Sequence, residues 1–423
     1  MELRRKLALL EGSGLGAVSR SQHAHALPTE DAAPRIDRLR SGIATLRLQR
    51  SPSEAVLPAR SPWNFPAEQR PTPLGVLHVR ERWFDADHRH GRAGIGAALE
   101  AEGDILAALA LDPALREVDP RSMLLVDTET TGLSGGTGTL PFLVGVAGFE
   151  HGRLRVSQYL LRRPGEERPI LGALAERWAA ASCIVTYNGK SFDWPLLRCR
   201  YVMNRLPVPQ PRPHLDLLHC ARRVLRHHAS GARLVALEES LLGHVRSDDI
   251  PGEQIPERYF RYLRCGDGAL LSAVLEHNVH DVLLLAALLG VLAHEFRSGT
   301  APDPRTSLGY AAVAERAGDV PRALAFASAA AASDDPVVRV QALILAARVQ
   351  RRRKDDRAAV ELLERAVRAA NGESLARIHL ELAKLYEHRL GDPAHALEHA
   401  GRALSAEGPE EHRRRVQRLL RRP

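Results

Sequence analysis

Residues 124–133 read LLVDTETTGL, and the reading of this stretch decides the fold. The apolar run Leu124-Leu125-Val126 passes into Asp127, Thr128 and Glu129, then into a turn that contains Gly132. An apolar run of this length closed by a glycine turn reads as a buried strand. Strand side chains alternate faces with period two, so Asp127 and Glu129 point the same way. Two like charges at the end of a buried strand repel each other. The pattern therefore asks what positive charge they hold.

Working outward, MLLVD (123–127), PFLVGVAGF (141–149), RLRVSQYLL (153–161) and CIVTY (183–187) read as four strands. Gly-containing stretches separate the first three, which suits antiparallel neighbours. The helical stretch PILGALAERWAAA (169–181) precedes the fourth. GVLHVRERW (75–83) alternates as a strand, and AALEAEGDILAALA (97–110) is helical. This order predicts an α/β fold, a mixed sheet flanked by helices. Residues 1–71, rich in Arg, Ser, Pro and Ala with little periodicity, read as a low-order N-terminal region. The ordered α/β domain is expected over 72–298.

From residue 303 the chain turns helical and repetitive. GDVPRALAFASAAAA (318–332), KDDRAAVELLERAVRAA (354–370) and GDPAHALEHAGRALS (391–405) align, with Ala323, Ala359 and Ala396 at matching places. A repeat of this period with paired helices predicts a tetratricopeptide-like all-α domain over 303–423, of the kind that offers a concave surface to a protein partner. An irregular Ala-rich bundle is the other reading.

The bulk numbers narrow the function classes. A chain of 423 residues is too long for one ordinary core. Net charge is +8, which admits an anionic partner without proving one. Lys6, Lys190, Lys354 and Lys384 are the only lysines. Arginine clusters such as Arg351–Arg353 therefore say more about composition than about phosphate. The cysteines Cys183, Cys199, Cys220 and Cys265 have no zinc-like spacing and read as reduced core thiols. The basic start MELRRKLALL has too short an apolar run for a signal peptide. The longest apolar run, Val282 to Ala293, is too short to span a bilayer and reads as a buried helix. A cytoplasmic protein without membrane association is expected.

Further carboxylates accompany the first pair. Asp193 in VTYNGKSFDWPLL (185–197) sits where a strand and turn become a helix. Alone it would read as an N-cap. Asp281 in LEHNVHDVLLLAALLG (275–290) lies in an apolar helix, one turn after His277. An ionised Asp on such a helix is costly unless paired or metal-bound. Four carboxylates from three segments suit two hard divalent cations, and oxygen ligation favours Mg²⁺ or Mn²⁺. Two such ions serve phosphodiester hydrolysis. A glycosidase would use two carboxylates and leave the other two unexplained.

At these residues the sequence resembles the DEDD exonucleases of ribonuclease H-like fold. More narrowly, DTETTGLSGGTGTLPFLVG, VTYNGKSFDWPLL, HLDLLHCARR, DDIPGEQIPERYF and EHNVHD resemble the YprB-type ribonuclease H-like domain. The resemblance covers about half the chain, and family members can carry tetratricopeptide repeats after this domain. It implies that Asp127 bridges two metals, that Glu129 and Asp281 complete the first site, and that Asp193 serves the second. Tyrosine-type members place their general base four residues before the last Asp, here His277. Histidine-type members place theirs five before, here Glu276, so the chain fits neither subgroup. His277 either handles the proton of the attacking water or packs structurally.

The resemblance also implies that the turn Thr130, Thr131, Gly132 and Leu133 contacts a terminal nucleotide. Asn188 and Lys190 are candidates for substrate contact, although turn residues of this kind are often inert. Asp216 reads as a helix N-cap rather than a supporting group of the site, and His227 and His228 as surface residues. The leading expectation is a metal-dependent 3′→5′ exonuclease acting on single-stranded DNA or RNA. The alternative is a non-catalytic nucleic-acid-binding or scaffold protein.

Overall fold

The computed structural model describes residues 65–132, 138–228, 234–246 and 249–421. Leu133, Gly135 and Gly136 lie outside the described residues, as does the chain up to residue 64.

The strand that opens the sequence reading is central. It is one of nine strands among the described residues: β1 (Glu68–Thr72), β2 (Gly75–Asp85), β3 (Arg89–His90), β4 (Ala93–Gly94), β5 (Met123–Thr130), β6 (Pro141–Glu150), β7 (Arg153–Leu160), β8 (Cys183–Thr186) and β9 (His214–Asp216). Seven form one sheet in the order β1-β2-β7-β6-β5-β8-β9, and β3 and β4 pair as a separate ribbon. β5 runs antiparallel to β6 and parallel to β8, and β8 runs parallel to β9. The β6–β7 hairpin turns on His151 and Gly152, both at positive φ, which matches the twist of paired strands.

Residues 68–71, expected to lie in the low-order region, instead form β1 together with Thr72. Each pairs with β2, so the sheet begins earlier than the polar composition suggested. An edge strand needs only its backbone ladder, and a polar sequence does not forbid that.

The helices of the α/β region are α1 (Gly103–Ala110), α2 (Arg168–Ala180), α3 (Asp193–Met203), α4 (Leu217–Val224), α5 (Leu234–Leu242), α6 (Ile255–Cys265) and α7 (Ser272–Ser298). Alternation along β5 assigns the two faces of the sheet. Met123 and Leu125 enter one core with Ala147, Val156, Cys183 and most of α7. Leu124 and Val126 enter the other with Val144, Val146, Ile184 and residues of α2 and α6. Asp127 and Glu129 continue the parity of Met123 and Leu125, and so face α7. By length and composition α7 could cross a membrane, but 72% of its most apolar stretch is buried inside the protein. It is the central core helix that the apolar run predicted.

The C-terminal region is all helical: α8 (Pro304–Ala317), α9 (Val320–Ala331), α10 (Pro336–Arg352), α11 (Asp356–Val367), α12 (Gly372–Leu385), α13 (Pro393–Gly401) and α14 (Pro409–Leu420). The second helix of each of three successive pairs starts on an aspartate cap. Asp319, Asp355 and Asp392 accept the backbone N–H groups of Arg322, Ala358 and His395. Ala323, Ala359 and Ala396, one turn later, are fully buried. Small side chains there let the paired helices approach. The apolar core under the sheet continues through α7 into α8, α9 and α10. At Gly309 on α8 a Cβ would lie 1.8 Å from the Val224 carbonyl oxygen at the end of α4. The helical region is thus packed onto the sheet region backbone to backbone.

Candidate active site

Asp127 and Glu129 reach the site from the end of β5. Asp127 lies opposite Gly145 on β6. That glycine is required: a Cβ there would fall 2.2 Å from Oδ1 of Asn278, which lies over the strand from α7. Asn278 is fully buried and donates from Nδ2 to Asp127 Oδ2 at 2.8 Å. Gln158 on β7, also buried, donates from Nε2 to Asn278 Oδ1 at 2.9 Å and to the Leu275 carbonyl at 2.8 Å. The pair of amides fixes which oxygen Asp127 turns towards its neighbours.

Asp193 is the first residue of α3 and accepts a hydrogen bond from Thr128 on β5. It does not act as the N-cap that its position alone suggested. The turn before α3 is held from beneath by Asp216, whose Oδ1 accepts from Asn188 N at 2.8 Å and whose Oδ2 accepts from Lys190 N at 3.1 Å. Oδ1 also accepts from Leu218 N, which is the expected N-cap of α4. Asp216 therefore caps a helix and supports the site turn at once. Asn188 takes a left-handed φ of 65°, and Gly189 follows with no room for a Cβ against Thr186.

On α7, Asp281 and His277 share a face. His277 Nε2 lies 3.5 Å from Asp281 Oδ2 and 3.9 Å from Glu129 Oε1. Its Nδ1 contacts both oxygens of Asp249, at 2.8 and 2.9 Å. The carboxylate thus accepts a hydrogen bond from Nδ1–H and leaves Nε2 facing the acidic pair. Arg246 donates to Asp281 Oδ1 at 2.5 Å, to Asp249 Oδ2 at 2.9 Å and to Glu238 Oε2 at 2.7 Å. Glu276 faces elsewhere and pairs with Arg80 and Arg82 on β2. Four carboxylates from β5, α3 and α7 are thereby gathered with one guanidinium and one imidazole.

Two comparisons bear on this arrangement. Residues 124–293 match the family described as the RNase_H superfamily, a span that includes all four carboxylates. The uncharacterized protein YprB of Bacillus subtilis (strain 168) is 31% identical over 349 residues, covering 77% of this chain and 80% of its own. The chain belongs to the YprB family. A solved family B DNA polymerase from Pyrobaculum calidifontis is 17% identical over 55% of this chain and 29% of its own, with a TM-score of 0.33, too slight a likeness to carry an argument. An RNase H superfamily domain points this YprB-family chain to nuclease chemistry on a nucleic acid, supported in general by divalent cations.

The electrostatics of the YprB-family site fit that chemistry. Protein surrounds the carboxylates on most sides, although Asp127 and Asp193 reach the cleft beside them, and desolvation is the largest perturbation on three of the four. It holds the Asp127 carboxyl well above its usual range, with Asp281, Glu129 and Asp193 adding repulsion. It lifts Glu129 to about 8, against the nearby His277. It lifts Asp193 to about 6, against the Thr128 hydrogen bond. Desolvation works against protonation of His277, but Asp281, Glu129 and Asp249 prevail and raise its pKa. One guanidinium and one imidazole leave the four carboxylates short of positive charge, and hard cations would supply the rest.

The consequence for stability has a definite sign. Carboxyls raised in the folded state contribute stability that is complete below their unfolded pKa and is lost as pH rises through about 6 for Asp193 and about 8 for Glu129. A cation held by the ionised forms would reverse the loss. We expect millimolar Mn²⁺ to raise the melting temperature more at pH 8 than at pH 6, measured against EDTA controls. The stabilisation at pH 8 should reach about 2.7 kcal/mol once free ion exceeds Kd a hundredfold. Equal shifts at the two pH values would contradict this account.

Beside the carboxylates lies an open cleft of about 470 Å³, lined by Asp127, Asp193, Thr130, Gly132, Asn188 and Phe192 among others. Three of the anticipated substrate residues, Thr130, Gly132 and Asn188, are thus at the cleft. Thr131 instead closes the turn, exchanging hydrogen bonds with Leu140. The Lys190 side chain is exposed and is not among the residues lining this cleft. Leu133 lies outside the described residues. His228, expected at the surface, is instead half-buried against Asp303 and Thr306 at the start of α8. Phe192 was legible only as a neighbour of Asp193; the structure leaves it 57% exposed at the cleft rim.

Proposed function

We propose that this YprB-family protein is a DEDD-type 3′→5′ exonuclease that shortens single-stranded DNA or RNA. The observation that carries the reading is the convergence of Asp127, Glu129, Asp193 and Asp281 beside an open cleft, with three of the four carboxyls desolvated and raised. The donor set fits hard cations. Asp127, Glu129 and Asp281 would hold one Mg²⁺ or Mn²⁺, and Asp127 with Asp193 a second. Bound there, the ions supply charge for in-line displacement at phosphorus.

The chain's own groups do the rest. Asn278 and Gln158 keep Asp127 in one orientation. His277, held at Nδ1 by Asp249, presents Nε2 to accept the proton of the attacking water. Thr130, Gly132 and Asn188 meet the terminal nucleotide, Thr131 shapes the turn that presents them, and Lys190 offers a phosphate charge from outside the cleft. Phe192 offers its ring to a base. We expect Phe192→Ala to weaken single-strand binding by about 1–3 kcal/mol without disturbing the carboxylates. Fluorescence anisotropy with a labelled oligonucleotide, in a cleavage-deficient background, measures this; unchanged affinity would remove the ring from the interface.

The direct test is incubation with 5′-labelled single-stranded DNA and RNA, with Mg²⁺ or Mn²⁺, beside an Asp127→Ala/Asp281→Ala variant. A ladder shortening from the 3′ end, lost with EDTA and in the variant, supports the reading and gives the sugar preference. Binding without cleavage would favour the nucleic-acid-binding or scaffold alternative. The three helix pairs, with their repeated aspartate caps and buried alanines, support a tetratricopeptide-like reading, in which the C-terminal helices recruit a protein partner.

A further inference from the structure

A second cluster of ligating side chains lies outside the acidic cleft. His90 sits on β3, His244 just after α5, and His280 on α7. One ring nitrogen of each lies within 4.8 Å of the others. We propose that these three imidazoles, with the Glu238 carboxylate, form a zinc site.

Several observations converge on it. The His90 and His244 ring centroids are 4.5 Å apart, and His280 stands 6.1 and 6.3 Å from them. Nε2 of His244 and Nδ1 of His280 are buried with no hydrogen-bond partner. Buried ring nitrogens without partners are uncommon because the lost hydration is not replaced. Glu238 is 1% exposed, and its Oε1 lies 2.6 Å from His90 Nε2 and 3.7 Å from His244 Nε2.

The backbone is built to bring these groups together. The β3–β4 turn places Gly91 at a φ of +61°, and a Cβ there would lie 2.3 Å from the Leu242 carbonyl oxygen and 2.9 Å from His244 Cβ. The next residue, Arg92, donates its N–H to that same carbonyl at 2.7 Å. Only glycine permits this approach, which carries His90 to the segment that bears His244.

Three neutral nitrogens and one carboxylate suit a tetrahedral borderline-soft ion better than Mg²⁺ or Ca²⁺. Zinc bonds of about 2.1 Å put ligand atoms about 3.4 Å apart, within reach of small side-chain rotations from the observed spacing. The site would tie the ribbon, the end of α5 and α7 together. Arg246 links it to the acidic cleft through two ion pairs in series, one with Glu238 and one with Asp281. The ion would therefore be structural, holding in place the guanidinium that steadies one edge of the acidic cleft.

The test uses the full chain without a histidine tag, grown with added zinc and passed through gel filtration. Elemental analysis should find about one zinc per chain. Asp127→Asn should keep it, which separates this site from the acidic cleft. His244→Asn should lose most of it, and His244→Cys should recover it, because thiolate is also a zinc ligand. Cobalt added to the zinc-free chain should give the visible band of a tetrahedral site, with a sulfur charge-transfer band only in His244→Cys. Trace zinc in the unaltered chain with no cobalt band would overturn the proposal. So would full zinc in folded His244→Asn.

Discussion

Asp127→Asn is expected to stabilise the metal-free protein while removing its activity. The carboxyl it replaces is desolvated and repelled by Asp281, Glu129 and Asp193. A neutral amide of the same shape ends that repulsion, and its oxygen still accepts from Asn278. In EDTA at pH 8 the melting temperature should therefore rise. In Mg²⁺ the same substitution removes the group shared by both proposed ion positions. If that contact supplies about 4 kcal/mol of transition-state stabilisation, cleavage falls about a thousandfold. A variant that cleaves at nearly the original rate would remove Asp127 from the mechanism. A variant less stable in EDTA would refute the account of a charge-starved cluster.

Gly309→Ala should give the largest loss of stability from a single methyl group. The added Cβ would meet Val224 O at 1.8 Å, its carbonyl carbon at 2.6 Å and its Cα at 2.9 Å. All three are backbone atoms, so no side chain can rotate away, and α8 must part from α4. Overpacking of yielding cores costs about 1–3 kcal/mol, and a rigid contact of this kind belongs at or above the top of that range. Urea unfolding measures the difference. Gly401→Ala in α13 is the control: nothing lies within 4 Å, and replacing a helical glycine should add about 0.5–1 kcal/mol. If Gly309→Ala were neutral, the helical region would not be seated on the sheet region as described.

The sequence disclosed the chemistry more readily than its support. Asp127 and Glu129 stand one residue apart on a strand, and period-two alternation places both on one face without further information. Asp193 and Asp281 were legible because each is an acid at an apolar junction. What was not legible lies in pairs made across long separations. Asn278 lay unremarked between His277 and Asp281, and Gln158 within an apolar strand. A buried amide in such a run is itself a signal, since it must find a partner. Gly145 reads as an interruption of a strand until Asn278 is seen above it. Arg246 and Asp249 come from a connecting segment with no periodicity, where charge alone predicts nothing. His90, His244 and His280 are spread over most of the sheet region, so no spacing rule could join them. The low-order reading of 68–71 failed for the opposite reason, because composition hid a backbone ladder.

That ladder has a bearing on how the protein behaves in concentrated solution. Without β1 the long strand β2 would present its open edge to any passing chain. β1 is short, carries Glu68 and Arg70, and holds Pro71, which has no N–H to offer a further strand. It closes the sheet with a surface that other sheets pair with poorly. A fragment begun at residue 72, the boundary suggested by composition, would discard most of this guard. It would keep every group of the acidic cleft yet be prone to edge-to-edge aggregation, and loss of activity in it would report colloidal failure rather than chemistry.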